Sequence, residues 1–582
     1  MQYLKELFFL IGEKKKSLPI ILSFFLCIAF LDVLGIGLIG PYVSIIVDEA
    51  SLQGKLGEAI KFLGLPGERD ELLVSLGLIL ISLFLLKSIA SILMNRAVTW
   101  YGASIQVKLR SSLMQSYQSM PYSMYVTRNS SEFIYAINTL VGTVQAVVIA
   151  SLKLVSDLIL IVVVIVLLAF QDILALSVFI LMMGGLVLIY DKVFQKKLNE
   201  LGKMTNIYSS NLIKGVNQGL EGLKEIRILG KENFFYQKVF SSAAQLAIYQ
   251  TREAIIASSP RFLLEFTMVS FIVLLVILTL VLGGQLESIV VTLAMFSVAG
   301  LRLLPATSAI SSHLAMFRFS RDHVSRLYKD FKLLENLKNE NYIGRIQDKS
   351  KEEPFRELKL QKISFSYSDK NQYVLKEISI AISSGQCIGL MGSSGAGKTT
   401  LVDILLGLLN PNKGSVLCNG GDIKSNLSYW QSKIAYLPQE VFLLDDSIRN
   451  NVALGIEEDK IDNERVFESL QKARLLEFTE TLPLGIDTIL GERGSRLSGG
   501  QRQRVALARS FYHEREVLVM DEATSALDNK TEKQIVDEIS FLKGKKTMIV
   551  IAHRLTTLKH CDYIYLIEKG IIVKSGSPEV MI

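Results

Sequence analysis

From Leu18 to Ser312 long apolar runs are broken by short charged stretches, whereas from Arg318 onward charge is dense and the apolar runs shrink to strand length. Runs at Leu18–Val47, Leu72–Asn95, Val141–Phe170, Ile173–Tyr190, Phe262–Leu282 and Ser288–Ser312 can each cross a hydrocarbon layer about 30 Å thick as a helix of roughly 20 residues. Six crossings return the chain to the side where it started. Only Gln171 and Asp172 separate the third run from the fourth, which demands a tight helical hairpin.

The segments between these runs predict further elements. Arg96–Glu132 and Asp191–Ala257 are too long and regular for loops and read as helical extensions, with short transverse helices near 115–130 and 220–235, the second interrupted by Gly230. Residues 1–16 form an amphipathic elbow helix that is expected to be retained, since no small-residue cleavage site follows. Leu52, Leu56, Ala59, Ile60 and Leu63 predict an external amphipathic helix near 51–64. The expected domains are a transmembrane domain over 17–325, a charged, irregular connector over 326–354 and an α/β domain with a largely parallel sheet over 355–582.

Charge sets the expected orientation. Lys14, Lys15 and Lys16, then Arg96, Lys108, Arg110 and Arg128, then Lys192, Lys196, Lys197 and Lys203 all fall on one side, and the loop around 48–71 on the other carries more acids than bases. The positive-inside rule places the amino terminus and the carboxy-terminal domain in the cytosol, with the chain in the inner (plasma) membrane.

With 50% hydrophobic residues in 582, composition supports a membrane part. Four scattered cysteines without CxxC spacing suggest neither a disulfide framework nor a zinc site. The net charge of +7 suits a membrane-facing protein, and no basic cluster interleaves with aromatics, so no nucleic-acid partner is expected.

Chemistry concentrates in the last third. The run IGLMGSSGAGKTT places a strand before Gly392-x-x-x-x-Gly397-Lys398-Thr399 and a helix after it. Phosphate oxygens need closely approaching backbone N–H groups, a lysine charge and a hydroxyl on Mg²⁺, which this order supplies. About 120 residues later, VLVMDE ends a strand in two carboxylates, placing Asp521 for a metal ion and Glu522 for an attacking water.

Leu497-Ser498-Gly499-Gly500-Gln501 makes the chain resemble the ABC ATPases in particular. The resemblance implies ATP and Mg²⁺ as cofactors. It implies adenine stacking on Tyr367, and phosphate binding by Gly392, Ser394, Gly395, Gly397, Lys398, Thr399 and Thr400. Mg²⁺ would be arranged by Thr399, Gln439 and Asp521, and catalysis would use Glu522, His553, Lys398 and Gln439. Ser498, Gly499, Gly500, Gln501 and Asp528 would reach the ATP of an opposing subunit, so a homodimer is implied. Glu492 in ILGERG matches the loop typical of exporters.

A six-helix membrane domain ahead of one ATPase domain resembles exporters and flippases, for which no periplasmic binding protein is expected. Charges inside apolar runs are costly and often functional. Lys153 and Asp157 can pair at i,i+4; Asp32, Lys87, Arg261, Glu265 and Arg302 remain. Lys87, Arg261 and Arg302 are candidates for an anionic lipid-linked headgroup, although Arg261 and Glu265 are also spaced for a local pair and Lys87 can snorkel. The outer helix, GLKEIRILGKENFF, SSPRFLLE and GLRLLPATSAI resemble PglK-type flippases of lipid-linked oligosaccharides, which implies outward flipping of a polyprenyl-pyrophosphate glycan. Exporters of lipid A, phospholipid or amphiphilic drugs share the architecture and are the alternative.

Overall fold

A computed structural model describes residues 2–47, 69–281, 286–339, 353–367, 373–521, 540–552 and 558–582. The external helix expected near 51–64 lies outside the described residues. The chain forms two compact units, Met1–Ser119 with Arg128–Asn339, and Met120–Thr127 with Glu340–Ile582.

The first unit is helical: α1 Gln2–Ile11, α2 Leu18–Val47, α3 Arg69–Gln118, α5 Ser130–Tyr135, α6 Val141–Gln171, α7 Ile173–Glu221, α8 Leu223–Ile228, α9 Glu232–Val281, α10 Leu286–Phe319 and α11 Arg321–Asn339. The short α4, Tyr122–Thr127, groups with the second unit. Six of the described helices are long and apolar enough to cross a membrane. Many of their exposed side chains are apolar, such as Val74, Ile81, Ile92 and Val162, as a lipid surround requires. At 50 residues, α3 and α9 are each about 75 Å long, far more than a bilayer core needs.

The hairpin between α6 and α7 turns on one residue. Asp172 is extended, and its Oδ1 accepts from the N–H groups of Leu174 and Ala175 at 3.0 Å, capping α7. Gly230, at φ +60°, makes the left-handed turn that separates α8 from α9.

The chain expected to be irregular from Arg326 is instead helical to Asn339. Val324, Leu327 and Leu334 are buried at helical spacing. The charges that made this segment look like a linker are engaged by neighbours within the unit. Asp330 receives Tyr117 Oη at 3.0 Å and Arg128 Nη2 at 2.9 Å. Asp322 receives Asn206 Nδ2 at 2.7 Å and Arg326 Nε at 2.8 Å.

In the second unit the strands are β1 Glu357–Phe365, β2 Leu375–Ser383, β3 Cys387–Met391, β4 Lys413–Cys418, β5 Gly421–Asp422, β6 Ile434–Leu437, β7 Val517–Asp521, β8 Thr547–Ile551, β9 Tyr563–Glu568 and β10 Ile571–Gly576. A six-stranded sheet runs β10-β9-β3-β8-β7-β6, parallel except for β10, and its central strands are buried apolar runs. A second, antiparallel sheet of order β2-β1-β4-β5 accompanies it. Trp430 is fully buried, and its Nε1 donates to the Leu405 carbonyl at 2.7 Å.

Candidate functional site

Strand β3 runs into the glycine loop, and α12, Lys398–Leu405, begins as the loop closes. Gly397, the residue before the helix, has φ +101°, and a Cβ at Gly392 would strike the Ile567 carbonyl. Lys398 is buried, and its Nζ donates to the carbonyls of Gly392 at 2.8 Å and Ser393 at 3.0 Å. The ammonium thus closes the loop into a ring. Ser394, Gly395 and Thr399 are exposed around this ring, at the amino end of α12 where N–H groups and dipole favour an anion.

Tyr367 is 60% exposed, packs edge-on against Phe365 with ring centroids 5.0 Å apart, and its hydroxyl lies 3.1 Å from Thr400 Oγ1. Thr400 itself is buried, so its hydroxyl supports Tyr367.

Asp521 ends β7, two strands from β3 across β8, at the carboxyl edge where parallel sheets bind ligands. Tyr436 on β6 donates to Asp521 Oδ2 at 3.1 Å, and burial followed by the Asp521 charge raises the phenol's pKa. Asp403 on α12 is pushed up to about 6, first by burial and then by the charge of Asp521. The Asp521 carboxylate, with the exposed Thr399 hydroxyl and the exposed Gln439, offers the oxygen ligands that Mg²⁺, a hard cation, takes. Neither Tyr436 nor Asp403 stood out in the sequence. Only sheet order and the facing of α12 bring them to Asp521.

Ser498 caps α13, Gly499–Tyr512. Its Oγ accepts from Gln501 N at 3.3 Å, and Gln501 Oε1 accepts from Ser498 N at 2.8 Å, a reciprocal capping box. Gly499 and Gly500, which carry no side chains, thus open the first turn of the helix behind this cap. Just ahead, Gly491 and Arg493 take positive φ, shaping the turn that holds Glu492. Glu522, Asp528 and His553 lie outside the described residues.

In the first unit the intramembrane charges divide into two groups. Asp32 is buried, with Lys87 Nζ 2.5 Å and Arg302 Nε 4.0 Å from Oδ1. Among the described residues neither Asp32 oxygen accepts an aligned hydrogen bond, so charge holds the carboxylate. The Arg302 guanidinium also lies over the Phe84 ring at 5.5 Å. Arg261 is apart from this set: its Nε donates to Glu265 Oε1 at 3.0 Å. The expected basic trio is therefore two cations on a shared carboxylate and one local pair. Asp157 faces His313 Nε2 at 3.6 Å, where sequence spacing suggested Lys153.

A helical unit with six membrane-length helices joined to a phosphate-loop α/β unit defines an ATP-driven membrane transporter. Residues 18–301 match the ABC transporter transmembrane region and residues 375–525 the ABC transporter family. The chain belongs to the ABC transporters, as an exporter with fused membrane and ATPase parts, and couples ATPase activity to transport. It is 28% identical over 529 residues to an ATP-dependent lipid A-core flippase of Saccharophagus degradans, covering 89% of this chain and 87% of that protein. A protein with the same description from Wigglesworthia glossinidia brevipalpis is 28% identical over 559 residues, covering 94% and 93%. The fold matches a solved bacterial Atm1-family ABC exporter with ATP bound, with a TM-score of 0.75 at 20% identity over 98% of this chain and 96% of that one.

Proposed function

We propose that the chain is an inner-membrane flippase that works as a homodimer and uses ATP to move an amphipathic anionic glycolipid of the lipid A kind to the outer leaflet. The observation that carries the ATP site is the ring formed by Lys398 and the Gly392 and Ser393 carbonyls. On binding, phosphate oxygens would take over the Lys398 ammonium, and Ser394, Gly395, Gly397 and Thr399 would present backbone N–H groups. Tyr367, anchored by Thr400, offers a ring face to adenine.

Thr399, Gln439 and Asp521 would hold Mg²⁺, which would neutralise phosphate charge when bound. Tyr436 would steady the Asp521 carboxylate by donating to its Oδ2. From the sequence motif, Glu522 would polarise water and His553 would sense the terminal phosphate. The capped amino end of α13, with Ser498, Gly499, Gly500 and Gln501, would close over the partner copy's ATP, helped by Asp528. The basic segments flanking the crossings support a cytosolic amino terminus and ATPase.

Two observations move the substrate reading from a polyprenyl-pyrophosphate oligosaccharide to its alternative. The full-length relatives above are described as lipid A-core flippases. In addition, Asp32 already neutralises part of the Lys87 and Arg302 charge, which leaves one net positive charge in that cluster.

The test is ATP-dependent flipping in proteoliposomes of lipid A-core, compared with a polyprenyl-pyrophosphate oligosaccharide, by the native protein and Glu522→Gln. Native protein should flip lipid A-core, while Glu522→Gln should bind ATP with turnover reduced at least about 100-fold. Movement of the oligosaccharide alone would overturn the substrate reading, and near-normal hydrolysis by the variant would overturn the site.

A further inference from the structure

Helix α1 carries apolar residues on two sides. Leu7, Leu10 and Ile11 are buried; Phe9 meets Tyr328 of α11 edge-on at 5.1 Å, and Glu6 Oε2 accepts from Ser325 Oγ at 2.7 Å. That side is spent on α11. Leu4 and Phe8 lie away from it and are 54% and 50% exposed.

Gly12, at φ +58°, ends α1, and a tight 3₁₀ turn, Gly12–Ser17, carries Lys14, Lys15 and Lys16 to the start of the first membrane helix at Leu18. The turn is fastened to α3. Tyr101 Oη donates to the Lys14 carbonyl at 3.0 Å, and Lys108 Nζ stands 3.1 Å from where a Gly12 Cβ would be. Tyr101 and Lys108, seven residues apart, share one face of α3. Lys5, Lys15 and Lys16 are exposed, and Lys14 and Lys108 are half-buried beside the turn; Glu13 is the exposed acid within it.

A fixed basic turn at the mouth of a membrane helix, flanked by exposed Leu4 and Phe8, has the chemistry of a site for acidic lipid: apolar anchors in the acyl boundary and ammonium groups at headgroup depth. Charge complementarity selects the occupant, since a zwitterionic headgroup brings no net charge to these lysines.

We propose that the Gly12–Ser17 turn, with Lys108, binds the headgroup of an acidic phospholipid from the adjoining leaflet, and that this lipid promotes ATP turnover. The other side of α1 is bonded to α11, so lipid capture holds in place the helix from which the chain runs on into the ATPase.

The experiment places the full-length protein in nanodiscs of zwitterionic lipid with rising fractions of phosphatidylglycerol. Native mass spectrometry reads retained lipid and a phosphate-release assay reads turnover. Native protein should retain phosphatidylglycerol and gain activity with it. Lys15→Gln/Lys16→Gln should need about tenfold more for the same effect, with basal turnover unchanged, and Lys15→Arg/Lys16→Arg should behave as native. High salt should weaken the retention. Equal phosphatidylglycerol dependence in native protein and the glutamine variant, or none in either, overturns the proposal; so does equal stimulation by soluble glycerol phosphate, which would indicate a free-phosphate site. Lipid retention is read without turnover, so failure of the ATPase reading would not be mistaken for failure of this one.

Discussion

Lys87 Nζ lies 2.5 Å from Asp32 Oδ1, which ties α3 to α2 through a buried ion pair inside the membrane region. Arg302 Nε lies near the pair, 4.0 Å from the same oxygen. Removing one partner of a buried pair strands the other, whereas removing both does not.

Lys87→Met is therefore expected to destabilise the protein by about 3 kcal/mol, and Asp32→Asn/Lys87→Met by clearly less. Thermal melting in detergent, followed by size-exclusion recovery, compares them. A double variant at least as unstable as the single one would show that the charges act independently.

His323, buried on α11 near the Phe319 ring, is pushed down to about 4, chiefly by burial; Asp322 opposes the shift and Arg326 adds to it. The folded value lies below the ordinary 6.5, so the unfolded chain binds more protons between the two. The stability linked to this group is complete above about pH 6.5 and is lost as pH falls toward 4, by up to about 3 kcal/mol. On acidification from pH 7 to 5, native protein should lose several degrees more of melting temperature than His323→Leu. Parallel losses would place the acid sensitivity elsewhere.

Gly202 on α7 packs so closely on the end of α10 that a Cβ there would collide with the Phe319 carbonyl. Backbone atoms cannot rotate out of the way as a side chain can. Gly202→Ala should cost roughly 2 kcal/mol or more and lower the yield of monodisperse protein, whereas Gly184→Ala on the same helix meets open space and should not. Equal yields of the two variants would count against the close contact.

The six crossings and the phosphate loop were legible because each is a local pattern. Apolar length alone defines a membrane helix, and Gly392 to Thr399 is a contiguous run whose backbone needs are met in place. Residues 326–339 look irregular in the sequence because Arg326 and Asp330 read as solvated charge; their partners, Asp322, Tyr117 and Arg128, lie one turn or a whole domain away in sequence. Tyr436 and Asp403 gave no signal, because neither belongs to a spaced motif.

By itself the sequence determined the class of solvent each part faces and the chemistry of the nucleotide loop, since both follow from consecutive residues. Only the tertiary structure decided which charges meet between helices. It set Lys87 and Arg302 on Asp32 and turned Asp157 to His313, whereas the Arg261–Glu265 pair follows from i,i+4 spacing within one helix. An ion pair depends on the few ångströms between side chains of packed helices, and a one-dimensional pattern of apolar lengths does not encode that distance.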